Sequence, residues 1–150
     1  MREHARQFKA LTYDIADSLF EDILSIVGFQ TVVRAVCRVR SCGLVVLAPV
    51  CASYSWMSRY STGRSMINPL GNIWQRSVAD ANLMVSRTIM LLHLIVGRGS
   101  VYVLEQPQGS IMPMHPRFQE FLRDHVVFQV FCESCTGHLG KCVLSANKVA

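Results

Sequence analysis

The sequence predicts an α/β layered domain closed by a carboxyl-terminal β-hairpin. Two runs of β-formers, 44–48 (Leu-Val-Val-Leu-Ala) and 101–104 (Val-Tyr-Val-Leu), each run into Pro and polar residues, the pattern of short buried strands. Segments with helical spacing lie between and before them, so strand and helix alternate along most of the chain. Near the end, 126–131 and 141–145 flank a Thr136-Gly137-His138-Leu139-Gly140 turn, which is a hairpin signature. At 150 residues the chain is long enough for a real core and is read as one domain, 1–150, with neither repeats nor low-complexity segments.

In chain order, Lys9-Ala10-Leu11-Thr12-Tyr13-Asp14 is expected to be a short strand ending in an acid. Ser18-Leu19-Phe20-Glu21 has capping-box spacing, and Gly28 is expected to interrupt what it starts. Phe29, Val32, Val33 and Val36 keep helical spacing up to a stop at Ser41-Cys42-Gly43. Residues 52–72 read as a long loop in which Tyr54, Trp56 and Tyr60 alternate with Ser, Thr, Gly and Arg. Loops of that length usually bind something. A largely buried helix is expected over 72–96, with Arg76, Asp80 and Arg87 on one stripe and Gly97-Arg98-Gly99 as its stop. After the second strand, a Pro- and Gly-containing loop leads to a helix over 116–124 and then to the hairpin.

Composition narrows the function classes. Hydrophobic residues make up 51% of the chain and charged residues 17%, which excludes a disordered chain and points to a partner surface. The net charge of +5 suits a polyanion such as nucleic acid, and equally an ordinary basic protein. The chain opens on the polar Met1-Arg2-Glu3-His4-Ala5-Arg6 with no secretory pattern, so the six cysteines are expected as free thiols. The expected location is intracellular, cytoplasm or nucleus. No uncharged apolar run reaches the roughly 18 residues of a membrane helix, since Arg87 and His93 interrupt the greasiest stretch, and no membrane contact is expected.

Two residues stand at strand ends where ligands collect in open parallel sheets. Cys51 follows the first strand through Pro49-Val50 and precedes Ala52-Ser53-Tyr54-Ser55. A thiolate there is a nucleophile if a cation or helix end stabilises it; otherwise it is a packed thiol. Glu105 ends the second strand before Gln106-Pro107. A carboxyl desolvated in a cleft can stay protonated and donate to a ring nitrogen, while the plainer reading is a surface acid at a strand-to-loop junction.

Pro49-Val50-Cys51-Ala52-Ser53-Tyr54-Ser55 resembles the Pro-Pro-Cys nucleophile loop of cytosine-C5 DNA methyltransferases, and Glu105-Gln106-Pro107 resembles that family's Glu-Asn-Val or Glu-Asn-Pro motif. The order of strand, loop, helix and strand agrees, and 137–147 resembles the late hairpin of some members. The resemblance implies a Rossmann-like, mostly parallel sheet with flanking helices, acting on DNA with S-adenosylmethionine. Cys51 would add to C6 of a flipped-out cytosine, and Glu105 would hold and protonate N3. Asp14 would touch the cofactor's ribose, with Pro49 beside it, while Arg59 and Arg64 would meet phosphate. Val50 stands where the family has Pro, and Gln106 where it has Asn. No Gly-rich turn follows a first strand, so the domain is expected to be a truncated or degenerate relative lacking the amino-terminal cofactor unit, which is either supplied by a partner chain, lost or cut off. The alternative is a non-catalytic nucleic-acid-binding or interaction remnant of the same fold.

A separate constellation, Cys132-X2-Cys135-X2-His138-X3-Cys142, supplies four zinc-ligand types in a zinc-knuckle-like order, against the alternative of incidental thiols in a hairpin. His93 reads as a core histidine of the long helix. His115, between Pro113 and Pro116, is a candidate for orienting the loop after Glu105. No nucleophile elbow, phosphate-binding Gly-Lys-Ser/Thr loop or His-Glu-X-X-His is present.

Overall fold

The computed structural model describes residues 10–107, 109–133 and 139–145. Its helices are α1 (Ile26–Cys37), α2 (Arg59–Thr62), α3 (Arg76–Gly97) and α4 (Pro116–Asp124). Its strands are β1 (Leu44–Leu47), β2 (Val101–Pro107), β3 (Phe128–Glu133) and β4 (Leu139–Ser145). They form one sheet in the order β1-β2-β4-β3. β1 and β2 are parallel, Leu44 opposite Val101 through Leu47 opposite Leu104. β4 runs antiparallel between β2 and β3. The fold is thus mixed α/β with flanking helices and the expected terminal hairpin. Its parallel character is confined to one of three pairings, because the hairpin inserts its second strand next to β2.

Over residues 10–14, the described part of the strand expected over 9–14, no strand forms. Residues 10–13 have no regular structure and Asp14 opens a turn, where no neighbouring strand offers a ladder. Ser18 caps only the single 3-10 turn Leu19–Glu21, its Oγ accepting from the Phe20 N–H at 3.2 Å. The N-cap of α1 is Ser25, whose Oγ accepts the Gly28 N–H at 2.9 Å. Gly28 lies inside the helix and does not interrupt it. A Cβ there would stand 2.0 Å from the Asp22 carbonyl oxygen, so glycine is what lets the preceding loop press against the first turn.

α3 begins at Arg76, and Arg76 pairs with Asp80 at its exposed start. Ala81, Val85, Ile89, Leu92 and Ile95 are buried about one turn apart and form the centre of the core. Tyr102 and Leu104 of β2, Val32 and Val36 of α1, and Phe118 and Phe121 of α4 complete it. Burying such side chains contributes about 1.5–3 kcal/mol each. Arg87 docks the chain before α1 by donating to the Ile23 and Ser25 carbonyls, with its guanidinium 4.9 Å over the Phe29 ring. Among the described residues α3 alone has the length and apolar composition of a membrane span, and it is the helix around which this core is built.

β2 alternates strictly, with Tyr102, Leu104 and Gln106 buried under the helices and Val101, Val103 and Glu105 half-buried on the other face. The register places Leu44 and Val46 on that second face, where they remain 62% and 64% exposed.

Candidate functional site

The site lies beyond the carboxyl end of β1 and beside the last residues of β2. Glu105 does not end that strand as expected, because pairing with β4 extends it to Pro107 and sets Glu105 opposite Cys142. After Leu47 the chain runs through Ala48, Pro49 and Val50 to Cys51, which precedes the 3-10 turn Ala52–Tyr54. Glu105 follows Leu104, the register partner of Leu47, so the carboxylate and the thiol leave neighbouring parallel strands at the same end. Both side chains are half-buried. Burial pushes the Cys51 thiol up from its ordinary value; a hydrogen bond to its own backbone opposes this, and the nearby Glu105 charge raises it further. The two groups therefore sense each other.

Two ties hold the loops that carry them. The buried Gln106 donates from Nε2 to the Pro49 carbonyl at 3.4 Å and to the Glu105 carbonyl at 2.8 Å, while its Oε1 accepts from Ser110 Oγ at 3.1 Å. The Ile111 N–H donates to the Tyr54 carbonyl at 3.0 Å. Cys51 is bracketed by these contacts at Pro49 and Tyr54. The Gln106 amide thus spans from β2 to the segment that follows β1.

Residues 52–72 form a packed unit with three helical turns, Ala52–Tyr54, Trp56–Ser58 and α2, in place of an open loop. Its anchor is Arg64, only 2% exposed. Nε donates to Ser53 Oγ at 3.0 Å, Nη1 to the Pro69 carbonyl and to Asn82 Oδ1, and Nη2 to the Val78 carbonyl at 3.2 Å. The guanidinium also stacks 3.8 Å from the centre of the Tyr54 ring. Tyr54, fully buried, donates its hydroxyl to Asn82 Oδ1 at 2.7 Å, and burial pushes its pKa up to about 12. A phosphate at Arg64 would have to displace Ser53, Pro69, Asn82 or Val78, so this arginine pins the loop to α3. Arg59 differs, for it is half-buried and its Nε has no hydrogen-bond partner. Trp56, Met57 and Tyr60 around it are exposed.

His115 is buried against Tyr54, the ring centres 6.4 Å apart, and its Nδ1 has no partner. Burial, helped by the Arg64 and Arg117 charges, pushes its pKa down to about 4 and keeps it neutral. It packs against Tyr54, in the turn that follows Cys51, and makes no side-chain cap to α4.

Of the remaining expected site residues, Cys142 stands at the cluster as the register partner of Glu105, while Asp14 and His93 do not. Asp14 is exposed, and its carboxylate accepts the Ala16 N–H at 2.9 Å within its own turn. Cys132 stands opposite Gly140 and Cys142 opposite Val130, so these two are not register partners, while Cys135 and His138 lie outside the described residues. His93 is exposed on α3 rather than in the core. A cavity of about 300 Å³ lined by Tyr13, Glu21, Arg34 and Arg38 shares no residue with the cluster.

S-adenosylmethionine, which the resemblance implies, does not fit the described residues. No Gly-rich strand-to-helix turn occurs among them, Asp14 is committed to its own turn, and the Pro49 carbonyl is taken by Gln106.

Sequence reasoning missed Asn82, which accepts from both Tyr54 and Arg64 and donates to the Leu70 carbonyl at 3.0 Å. A lone Asn one turn from buried Val78 in an apolar helix was the available signal. Comparison with protein-family models, with curated proteins and with solved structures finds no match to the chain.

Proposed function

We propose that the chain is a DNA cytosine-C5 methyltransferase-like protein, carrying the base-activating part of a class I, Rossmann-like methyltransferase site. The observation that carries this reading is that Cys51, beyond the end of β1, and Glu105, near the end of the neighbouring parallel strand β2, lie at the same end of the two strands, where the Glu105 charge adds to the burial that raises the thiol. With a flipped cytosine between them, the Cys51 sulfur adds to C6 and opens the C5=C6 double bond. Glu105 delivers a proton to N3 while the C5=C6 pair shifts to C4–C5 as an enamine, which makes C5 nucleophilic. C5 then bonds an electrophile (a solvent proton when no methyl donor is present) and loses its original proton. The thiolate leaves from C6 as N3 returns its proton to Glu105, restoring the ring. Arg59 and the exposed Trp56 and Tyr60 lie on the loop that would meet DNA. The cofactor belongs, on this reading, to a partner chain docking along the β1 edge, where Leu44 and Val46 are exposed.

One observation favours a non-catalytic nucleic-acid-binding version of the same fold: a raised thiol is a poor nucleophile at neutral pH. Hydrogen exchange at C5 separates the two readings, because the addition step needs no methyl donor. DNA labelled with tritium at cytosine C5, including mismatched cytosines that flip easily, is incubated with the chain, and tritium released to water is counted. Release that disappears in Cys51→Ala and drops in Glu105→Gln supports catalysis. Release equal to that of Cys51→Ala leaves only the binding reading.

A further inference from the structure

Away from this site, the end of α4 meets α3 through two imidazoles. His93 Nδ1 and His125 Nε2 are 3.3 Å apart, and the ring centres are 5.2 Å apart. A straight N–H···N bond between aligned imidazoles would separate the centres further than this, so the rings are bent toward one another. Two imidazole nitrogens about 2.05 Å from a tetrahedral metal ion stand about 3.3 Å apart, with ring centres about 5.2 Å apart. Both observed distances coincide with that arrangement.

The rings are also held. Phe121, fully buried, sits with its ring centre 4.9 Å from that of His93 and 4.5 Å from that of His125. His93 is fixed on α3 four residues before its end, and His125 is the C-cap of α4. The pair is thus pre-oriented by a core aromatic while its outer side stays open to water, since His93 is exposed and His125 half-buried.

We propose that His93 and His125 form a binding site for a divalent transition-metal ion that accepts imidazole, with Zn2+ as the reference ion. Among the described residues no group of three His, Cys, Asp or Glu side chains could hold a metal, so water completes the tetrahedron. The ion takes the place of the shared proton and staples α4, with the chain leading into β3, onto α3. The site is independent of the reading of Cys51 and Glu105.

The test is titration of the whole folded chain with Co2+ and Zn2+ alone, followed by visible absorption and by calorimetry. The cysteines are natural competitors, so the titration is repeated on Cys132→Ser/Cys142→Ser. The expected result is one equivalent bound without a thiolate-to-metal charge-transfer band, retained in the serine variant. Loss of second-shell partners alone costs metal sites 10–100-fold, so His93→Gln or His125→Gln is expected to weaken binding by about 100-fold. Circular dichroism confirms that each glutamine variant is folded, and the half-buried His125 serves as the second variant if His93→Gln disturbs α3. Binding unchanged in both glutamine variants, binding carried wholly by the cysteines, or no binding by the folded chain overturns the proposal.

Discussion

Replacing Arg64 with Met is expected to destabilise the fold by about 3 kcal/mol. The estimate follows from what each acceptor retains. Asn82 keeps the Tyr54 hydroxyl, and the Val78 carbonyl keeps its donor within α3. The Pro69 carbonyl and Ser53 Oγ, both half-buried, lose the guanidinium, and each lost bond to a charged donor costs about 1–1.5 kcal/mol. The stack on Tyr54 adds about 1 kcal/mol, and relief from burying a charge offsets part of the total. Urea unfolding with a slope of about 2 kcal/mol/M would read this as a midpoint about 1.5 M lower. Lys in the same place should still cost about 2 kcal/mol, because one ammonium cannot serve this spread of acceptors or stack in plane. Arg59→Met, with no partner at Nε, should stay within about 0.5 kcal/mol. An Arg64→Met midpoint indistinguishable from that of Arg59→Met would refute the assignment of Arg64 as the loop's anchor.

Three further outcomes follow from the same geometry. Glu105→Gln removes the charge that raises the Cys51 thiol, so the midpoint of its alkylation rate against pH should fall; an unmoved midpoint would mean the two groups do not share a site. His115 is held at about 4 when folded against about 6.5 when unfolded, so the unfolded chain binds more protons between these values. Its contribution is complete above pH 6.5 and is lost as pH falls toward 4, and His115→Phe should flatten that part of the stability–pH curve measured by urea unfolding. Gly28→Ala should cost about 2–4 kcal/mol in the same assay, since the added Cβ meets backbone that cannot rotate away.

The parts legible in the sequence are those set by local period and local punctuation. The starts of β1 and β2, the helix over 116–124 and the existence of the terminal hairpin follow from apolar runs and Pro or Gly punctuation. β2, however, runs past Leu104 to Pro107, and the hairpin strands fall at Phe128–Glu133 and Leu139–Ser145 rather than 126–131 and 141–145, because cross-strand pairing rather than local sequence sets those bounds. Gly28 was misleading because its role depends on a backbone approach from Asp22, which spacing does not encode. Residues 10–14 have strand composition but no neighbour to pair with. Arg64 read as a phosphate contact because it lies in a polar, aromatic stretch, and its acceptors at Val78 and Asn82 become visible only once α3 packs against the loop. For the site, the pairing of Cys51 with Glu105 was legible from two motifs at strand ends. The ties through Gln106 and Ile111 were not, because each joins residues more than fifty positions apart.

The central claim is that Cys51 and Glu105 act together on one cytosine ring. The most direct measurement uses DNA carrying 5-azacytosine, whose electron-poor C6 accepts a thiol without a methyl donor, followed by peptide mass mapping of the adduct. The account predicts a single adduct on Cys51, absent in Cys51→Ser and slower in Glu105→Gln at matched thiolate fraction. An adduct on another cysteine, or none on a folded chain that binds the DNA, would contradict it.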